Sequence, residues 1–225
     1  MVVKFDNGHA LAGDFKEFVS ASDFPCVGAK AALSRQQMDF IVCGQMATAW
    51  DDLRILPGLV DVVKRYRHDK TLFRSFIVIF SDDAPMTESD FEHLLWERVQ
   101  SLADKDDWLG FKPDPSVDES PDSPHFGVSF GGEAFFVVGL HPNASRPARR
   151  FARPALVFNL HDQFVALREQ GKYEKMRKTI IERDIALAGE PNPMLARHGE
   201  TSEARQYSGR AVGNDWKCPY QSRAA

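Results

Sequence analysis

With 225 residues, 43% of them hydrophobic and 27% charged, the chain is long enough for one globular domain that encloses a cofactor. A formal net charge of −4 argues against a general nucleic-acid binder, and no apolar run approaches the roughly 20 residues of a membrane span. Cys26, Cys43 and Cys218 include no close pair, no CxxC or HxxxH spacing supports zinc, and Met1–Asp6 lacks the apolar stretch of a secretory signal, so a cytoplasmic protein without disulfides is expected.

In chain order, Phe15, Phe18 and Val19 recur at helical spacing and predict an opening helix. A second helix runs through Lys30, Ala31, Ala32 and Leu33, with Cys26 at its mouth. Phe40–Cys43 reads as a short buried strand. Trp50–Tyr66 has helical period, interrupted by Pro57-Gly58, which should break or kink it. Leu72–Phe80 is the strongest strand, rich in β-branched and aromatic residues. Thr87 is a good N-cap for a helix through about Leu102, with Phe91, Leu94, Leu95, Val99 and Leu102 on its buried face.

Residues 104–124 are acidic and proline-rich, and read as a long flexible surface loop. Phe126–Phe130, Gly131-Gly132 and Ala134–Leu140 spell a β-hairpin with a two-residue turn. A strand at Ala155–Asn159 precedes helices at His161–Arg168 and Tyr173–Leu187, and from Gly189 the chain is polar and irregular. The sum is a single α/β (α+β) domain over 1–225, with a largely antiparallel or mixed central sheet flanked by helices.

Chemistry concentrates first at Phe24-Pro25-Cys26-Val27-Gly28-Ala29. A cysteine at a helix start tends toward the thiolate, and Gly28, without a Cβ, lets a large flat ligand approach the sulfur. Arg146, Arg149, Arg150 and Arg153 follow the hairpin in an otherwise acidic chain; guanidinium forks match carboxylates or phosphates, so an anionic ligand is implied over a plain solvated loop, with RNA disfavoured by the weak aromatic platform. His141, beside these arginines, is a pocket candidate, although a lone histidine at a strand end is more often structural. His161 reads as a helix-start capping residue and His198 as a loop residue. The string Ser202–Arg210 has the charge balance of a hydrogen-bonded network, and Cys218, among Trp216, Pro219 and Tyr220, reads as a small buried hydrophobe.

Together these segments resemble the YqcI/YcgG-like family, and within it the guanitoxin-biosynthesis type, described as heme-dependent guanidino N-hydroxylases. The resemblance is carried by Phe24–Ala29, Phe91-Glu92-His93-Leu94-Leu95-Trp96, Gly139-Leu140-His141-Pro142 with its arginines, Asn192-Pro193-Met194-Leu195, Ser202–Arg210 and Trp216-Lys217-Cys218-Pro219. It implies heme, dioxygen and a product oxidised at nitrogen. On that footing Cys26 is the expected iron ligand, with Gly28 beside it and His141 as its rival. Cys26-Val27-Gly28-Ala29 before a helix is similar to the ligand turn of cytochromes P450 in local physics and not in fold, since the glycine- and arginine-rich approach is missing, and Cys-Val-Gly is also similar to nitric-oxide synthases. Arg146 and Arg149 or Arg150 are expected to hold the propionates. A guanidinium or amine substrate needs a carboxylate, for which Glu203 ranks first, then Asp215 and Asp51.

The expected activity is therefore a heme-dependent monooxygenase hydroxylating a nitrogen of an arginine-like guanidino or amino compound. It uses dioxygen and an external electron donor, since no GxGxxG fingerprint is present. The alternative is a non-catalytic heme- or anion-binding sensor or carrier. A Cys26–His141 nucleophile pair lacks any recognisable motif, and a homodimer is the base-rate expectation for assembly.

Overall fold

Five short strands alternate their apolar side chains between two faces, and both faces are covered. The computed structural model describes residues 3–82, 84–197 and 199–223. Its strands are β1 (Met38–Cys43), β2 (Ser75–Phe80), β3 (Val128–Phe130), β4 (Glu133–Leu140) and β5 (Ala155–Leu160), in sheet order β1-β2-β5-β4-β3. β1 and β2 are parallel; the other neighbours are antiparallel, with Val78 opposite Leu156 and Val138 opposite Val157. The mixed, mostly antiparallel sheet expected from the sequence is the one observed. Phe76 to Phe80 are all 0% exposed, so β2 reads as a continuous apolar run instead of an alternating one.

One face packs Ile41, Phe76, Val78, Phe130, Phe135 and Phe158 against α3 (Asp52–His68) and α4 (Glu88–Trp108). The other packs Phe40, Ile77, Ile79, Leu140 and Ala155 against α1 (Ala10–Ser20) and α2 (Val27–Ser34). Three later helices, α5 (His161–Glu169), α6 (Tyr173–Ala188) and α7 (Ala204–Tyr207), complete the seven among the described residues. None of the helices described is long and apolar enough to cross a membrane.

Two expectations change. α3 runs unbroken through Pro57-Gly58. Leu53, whose carbonyl the proline ring would crowd, is 70% exposed and that carbonyl can turn to water. Gly58 has its own reason: a Cβ there would stand 2.8 Å from Ile41 Cδ1 and 2.9 Å from Phe76 Cζ, so glycine lets α3 lie directly on the sheet.

α4 also continues past Leu102 to Trp108, taking in the first residues of the expected loop. Its last turn is held because Asp106, 0% exposed, accepts from Gly131 N at 2.8 Å and from Arg223 Nη2 at 3.1 Å. The remaining acidic stretch is irregular and tied to the hairpin: Asp114 N donates to Ser129 Oγ at 3.0 Å and Asp114 Oδ2 accepts from Ala134 N at 2.9 Å. The hairpin itself turns through Gly131 (φ +60) and Gly132 (φ +80), as its two glycines require.

Candidate functional site

A cavity of about 360 Å³ lies on the α1–α2 side of the sheet, roofed by α5 and α6. That volume is in the range of small-molecule and cofactor sites, about 300–1,000 Å³. Its floor is apolar, with Val138 and Val157 from β4 and β5, and Phe15, Phe24 and Phe136 extend the walls.

Cys26 opens into this cavity as the N-cap of α2, its Sγ accepting from Ala29 N at 3.4 Å. Burial raises the thiol above its ordinary range, and the amides of Ala29 and Gly28 with the charge of Arg149 only partly oppose it. The helix start alone therefore does not make the thiolate, contrary to the simple expectation; a bound cation would. Beside the sulfur, a Cβ on Gly28 would meet Cys26 Sγ, Met176 Cε and Phe73 Cδ1, each at 3.8 Å, so the glycine keeps a side chain's width of space open there. Phe73 reaches the cavity from a left-handed backbone (φ +71), with the Arg35 guanidinium 4.9 Å from its ring centroid. Such a conformation in a bulky residue costs on the order of 1–3 kcal/mol and is retained mostly where a site needs it.

The arginine cluster does not act as a unit. Arg149 alone lines the cavity, and it donates to the carbonyls of Gly139 (2.9 Å), Tyr207 (3.1 Å) and Gln206 (3.0 Å). Burial pushes its pKa down to about 10. Arg146 sits behind the wall, paired with Asp184 and donating to Glu190 O at 3.1 Å. Arg150 is exposed and braces its own loop through Ala144 O (2.6 Å) and Ser145 O (2.7 Å).

His141 is not in the cavity. It is buried on the α4 side, its ring stacked on Phe91 at 4.5 Å, and burial lowers its pKa. Cys26 and His141 thus face opposite sides of the sheet, which removes His141 as a rival iron ligand and removes the Cys26–His141 pair.

The cavity histidine is His161, which makes no capping bond in α5. Its Nε2 lies 2.8 Å from Glu203 Oε2, and both residues are buried. A period of two along β5 was the available signal: Val157, Asn159 and His161 share parity, and all three line the cavity. Glu203, ranked first among the candidate carboxylates, lines the same chamber as Cys26. Asp215 is exposed in the turn beside Gly213, and Asp51 accepts from Gly44 N at 2.8 Å on the surface; neither lines the cavity. His198 lies outside the described residues.

Two further cations line the cavity, Arg168 on α5 and Arg177 on α6. Nothing in the sequence separated them from ordinary surface helix residues. Among the described residues no group of three or more His, Cys, Asp or Glu side chains could hold a metal ion.

The polar string Ser202–Arg210 divides between the two sides of the sheet. Glu203 turns to the cavity, whereas Ser208 and Arg210 turn to Glu92 of α4, which also accepts from Trp216 Nε1 at 2.8 Å. Burial works to raise the Glu92 carboxyl, but the bonds from Arg210, Trp216 and Ser208 prevail and hold it below its ordinary value. Cys218 packs against this core, and burial pushes its thiol up to about 12, as befits an inert small hydrophobe.

The YqcI/YcgG family profile matches residues 15–221. The chain belongs to the YqcI/YcgG family. The matched span takes in every residue named above as lining the cavity, from Phe15 to Gln206, and the C-terminal strap against α4. No curated protein and no solved structure matches the chain.

Proposed function

We propose that this YqcI/YcgG chain is a heme-dependent monooxygenase of the guanidino N-hydroxylase type. It would hydroxylate a nitrogen of an arginine-like guanidino or amino compound with dioxygen and a separate electron donor. The observation that carries the reading is a single apolar chamber that presents both the Cys26 thiol and the Glu203–His161 pair. The residues fit such a group: a sulfur donor with open space beside Gly28, aromatic and aliphatic walls, and cations at the roof.

Bound there, heme supplies the dioxygen chemistry. The chain's own share is binding and orientation. Cys26 would hold the iron as thiolate, with the Ala29 and Gly28 amides and Arg149 favouring the negative sulfur. Glu203, oriented by His161, would take the substrate's guanidinium or ammonium group, an interaction strengthened by the apolar surroundings. Phe24, Phe73 and Phe136 would keep water from the reacting nitrogen.

Hemin added to the purified protein, followed by reduction under carbon monoxide, tests this directly. The expected spectrum is that of a sulfur-ligated heme, lost in Cys26→Ser, together with conversion of an arginine-like amine to its N-hydroxylated product, abolished in Glu203→Gln. Protein that refuses hemin overturns the reading. Heme binding without turnover of any amine would instead establish the sensor or carrier, which the several arginines of the cavity also suit.

A further inference from the structure

The charged groups of the cavity differ in what they already bind. Asp184 is taken by Arg146, Arg149 is spent on three carbonyls, and Glu203 faces His161. Arg168 and Arg177 are half-buried in the lining, yet among the described residues neither guanidinium makes a hydrogen bond or an ion pair. Arg168 only lies over the Tyr173 ring, at 4.7 Å. Each guanidinium keeps five N–H donors in a fork that fits carboxylate oxygens.

The two arginines stand on consecutive helices, and the second of these is unusual. α6 has 16 residues and none of them is buried, although Met176 and Ile180 point into the cavity. Helices in proteins are held chiefly by burial of an apolar face. α6 is fastened at its C-terminal half, where Asp184 meets Arg146 and Arg183 donates to Ser22 O. Its N-terminal half, which carries Arg177, has no such fastening to the body of the protein among the described residues.

We infer that Arg168 and Arg177 form the carboxylate pole of the cavity, and that a carboxylate-bearing ligand held there secures α6 as the roof. On the function proposed above, from which this inference follows, those carboxylates are the heme propionates, a role the family resemblance implied for Arg146 and Arg149 or Arg150. The carboxylate of an amino-acid substrate has the same chemistry and is the other source.

The test uses the full chain and an Arg168→Gln/Arg177→Gln double variant, with four probes: hemin, hemin dimethyl ester, arginine, and its decarboxylated analogue agmatine. The propionate assignment expects the natural chain to bind hemin about tenfold or more tightly than the diester, with the double variant losing that preference while its diester affinity stays unchanged. A tenfold preference is about 1.4 kcal/mol, the size of one charge-assisted contact at a partly exposed site. Hydrogen exchange in the α6 amides should slow on hemin binding to the natural chain, and less so in the variant. Should arginine lose its advantage over agmatine in the variant while both porphyrins bind alike, the pole serves the substrate carboxylate. Equal treatment of both pairs by the natural chain overturns the inference while leaving heme binding intact. Failure to bind either porphyrin removes the function proposed above, and the arginine–agmatine pair then decides the pole by itself.

Discussion

The two faces of the sheet are built from the same strands and reach opposite outcomes. On the α3–α4 face, Phe130, Phe135, Phe158 and Tyr207 are 0% exposed, and the buried carboxylates of Asp52, Glu92 and Asp106 are each paired with an arginine. Asp52, 1% exposed, accepts from Arg98 at 2.8 Å, Lys105 at 2.9 Å and Ser101 at 2.6 Å. On the other face, α1 and α2 cover Phe40 and Ile77 tightly, but over β4 and β5 packing gives way to a cavity roofed by a helix with no buried residue. One face holds the stability, which frees the other to keep a void, unanswered cations and a strained Phe73.

The largest effect that can break this contrast is at Asp52. Replacing it by alanine strands Arg98, whose side chain is only 7% exposed, without its carboxylate. Breaking a buried pair from one side costs about 3–5 kcal/mol, so Asp52→Ala should sharply lower the urea midpoint or leave the protein unfolded. A loss below about 1 kcal/mol would show that the α3–α4 face is not the stable one.

Glu92 comes next, with a pH signature. Its carboxyl is held below the ordinary value in the folded protein, so the stability it contributes is complete above the unfolded value of about 4.3. That contribution disappears as pH falls through the lower native value. Glu92→Gln should cost about 2 kcal/mol at neutral pH, since Arg210 is partly exposed and can be rehydrated. The penalty should shrink in acid, which urea unfolding between about pH 3 and pH 7 would read. A penalty independent of pH would mean that Glu92 acts by packing and not by charge.

Much of this arrangement was legible in the residues, and the failures have physical causes. Helices followed from period 3.6, and strands from short apolar runs rich in β-branched and aromatic residues. The Thr87–Asp90 capping box is present in both directions, with Thr87 Oγ1 accepting from Asp90 N at 3.1 Å and Asp90 Oδ2 from Thr87 N at 2.9 Å. Cys26 at a helix mouth and Glu203 in the chamber were also within reach.

The arginine cluster misled because adjacency in sequence is not adjacency in space: the 3₁₀ turn Pro147–Arg149 sends Arg146, Arg149 and Arg150 to different partners. His141 could have been placed by parity, since Leu140 faces the cavity and its neighbour must face α4. The end of α4 could not, because Asp106 is secured by Arg223 far along the chain. Arg168 and Arg177 come to line one cavity only once α5 and α6 are folded over the sheet.

The smallest expected effect sharpens the comparison most. Met176 and Ile180 are the apolar residues that α6 turns to the cavity, and both are half-buried. A large-to-small change in a packed core costs about 2–5 kcal/mol, because the surroundings lose contacts and cannot fill the space. Over an existing void there is little to lose, so Ile180→Ala in the ligand-free protein should change stability by no more than about 0.5 kcal/mol. On the function proposed above, bound hemin would supply surface for Ile180 to touch, and the same substitution should then cost more. A ligand-free penalty of core size would mean that α6 is packed as closely as α3, and the asymmetry between the two faces would fail.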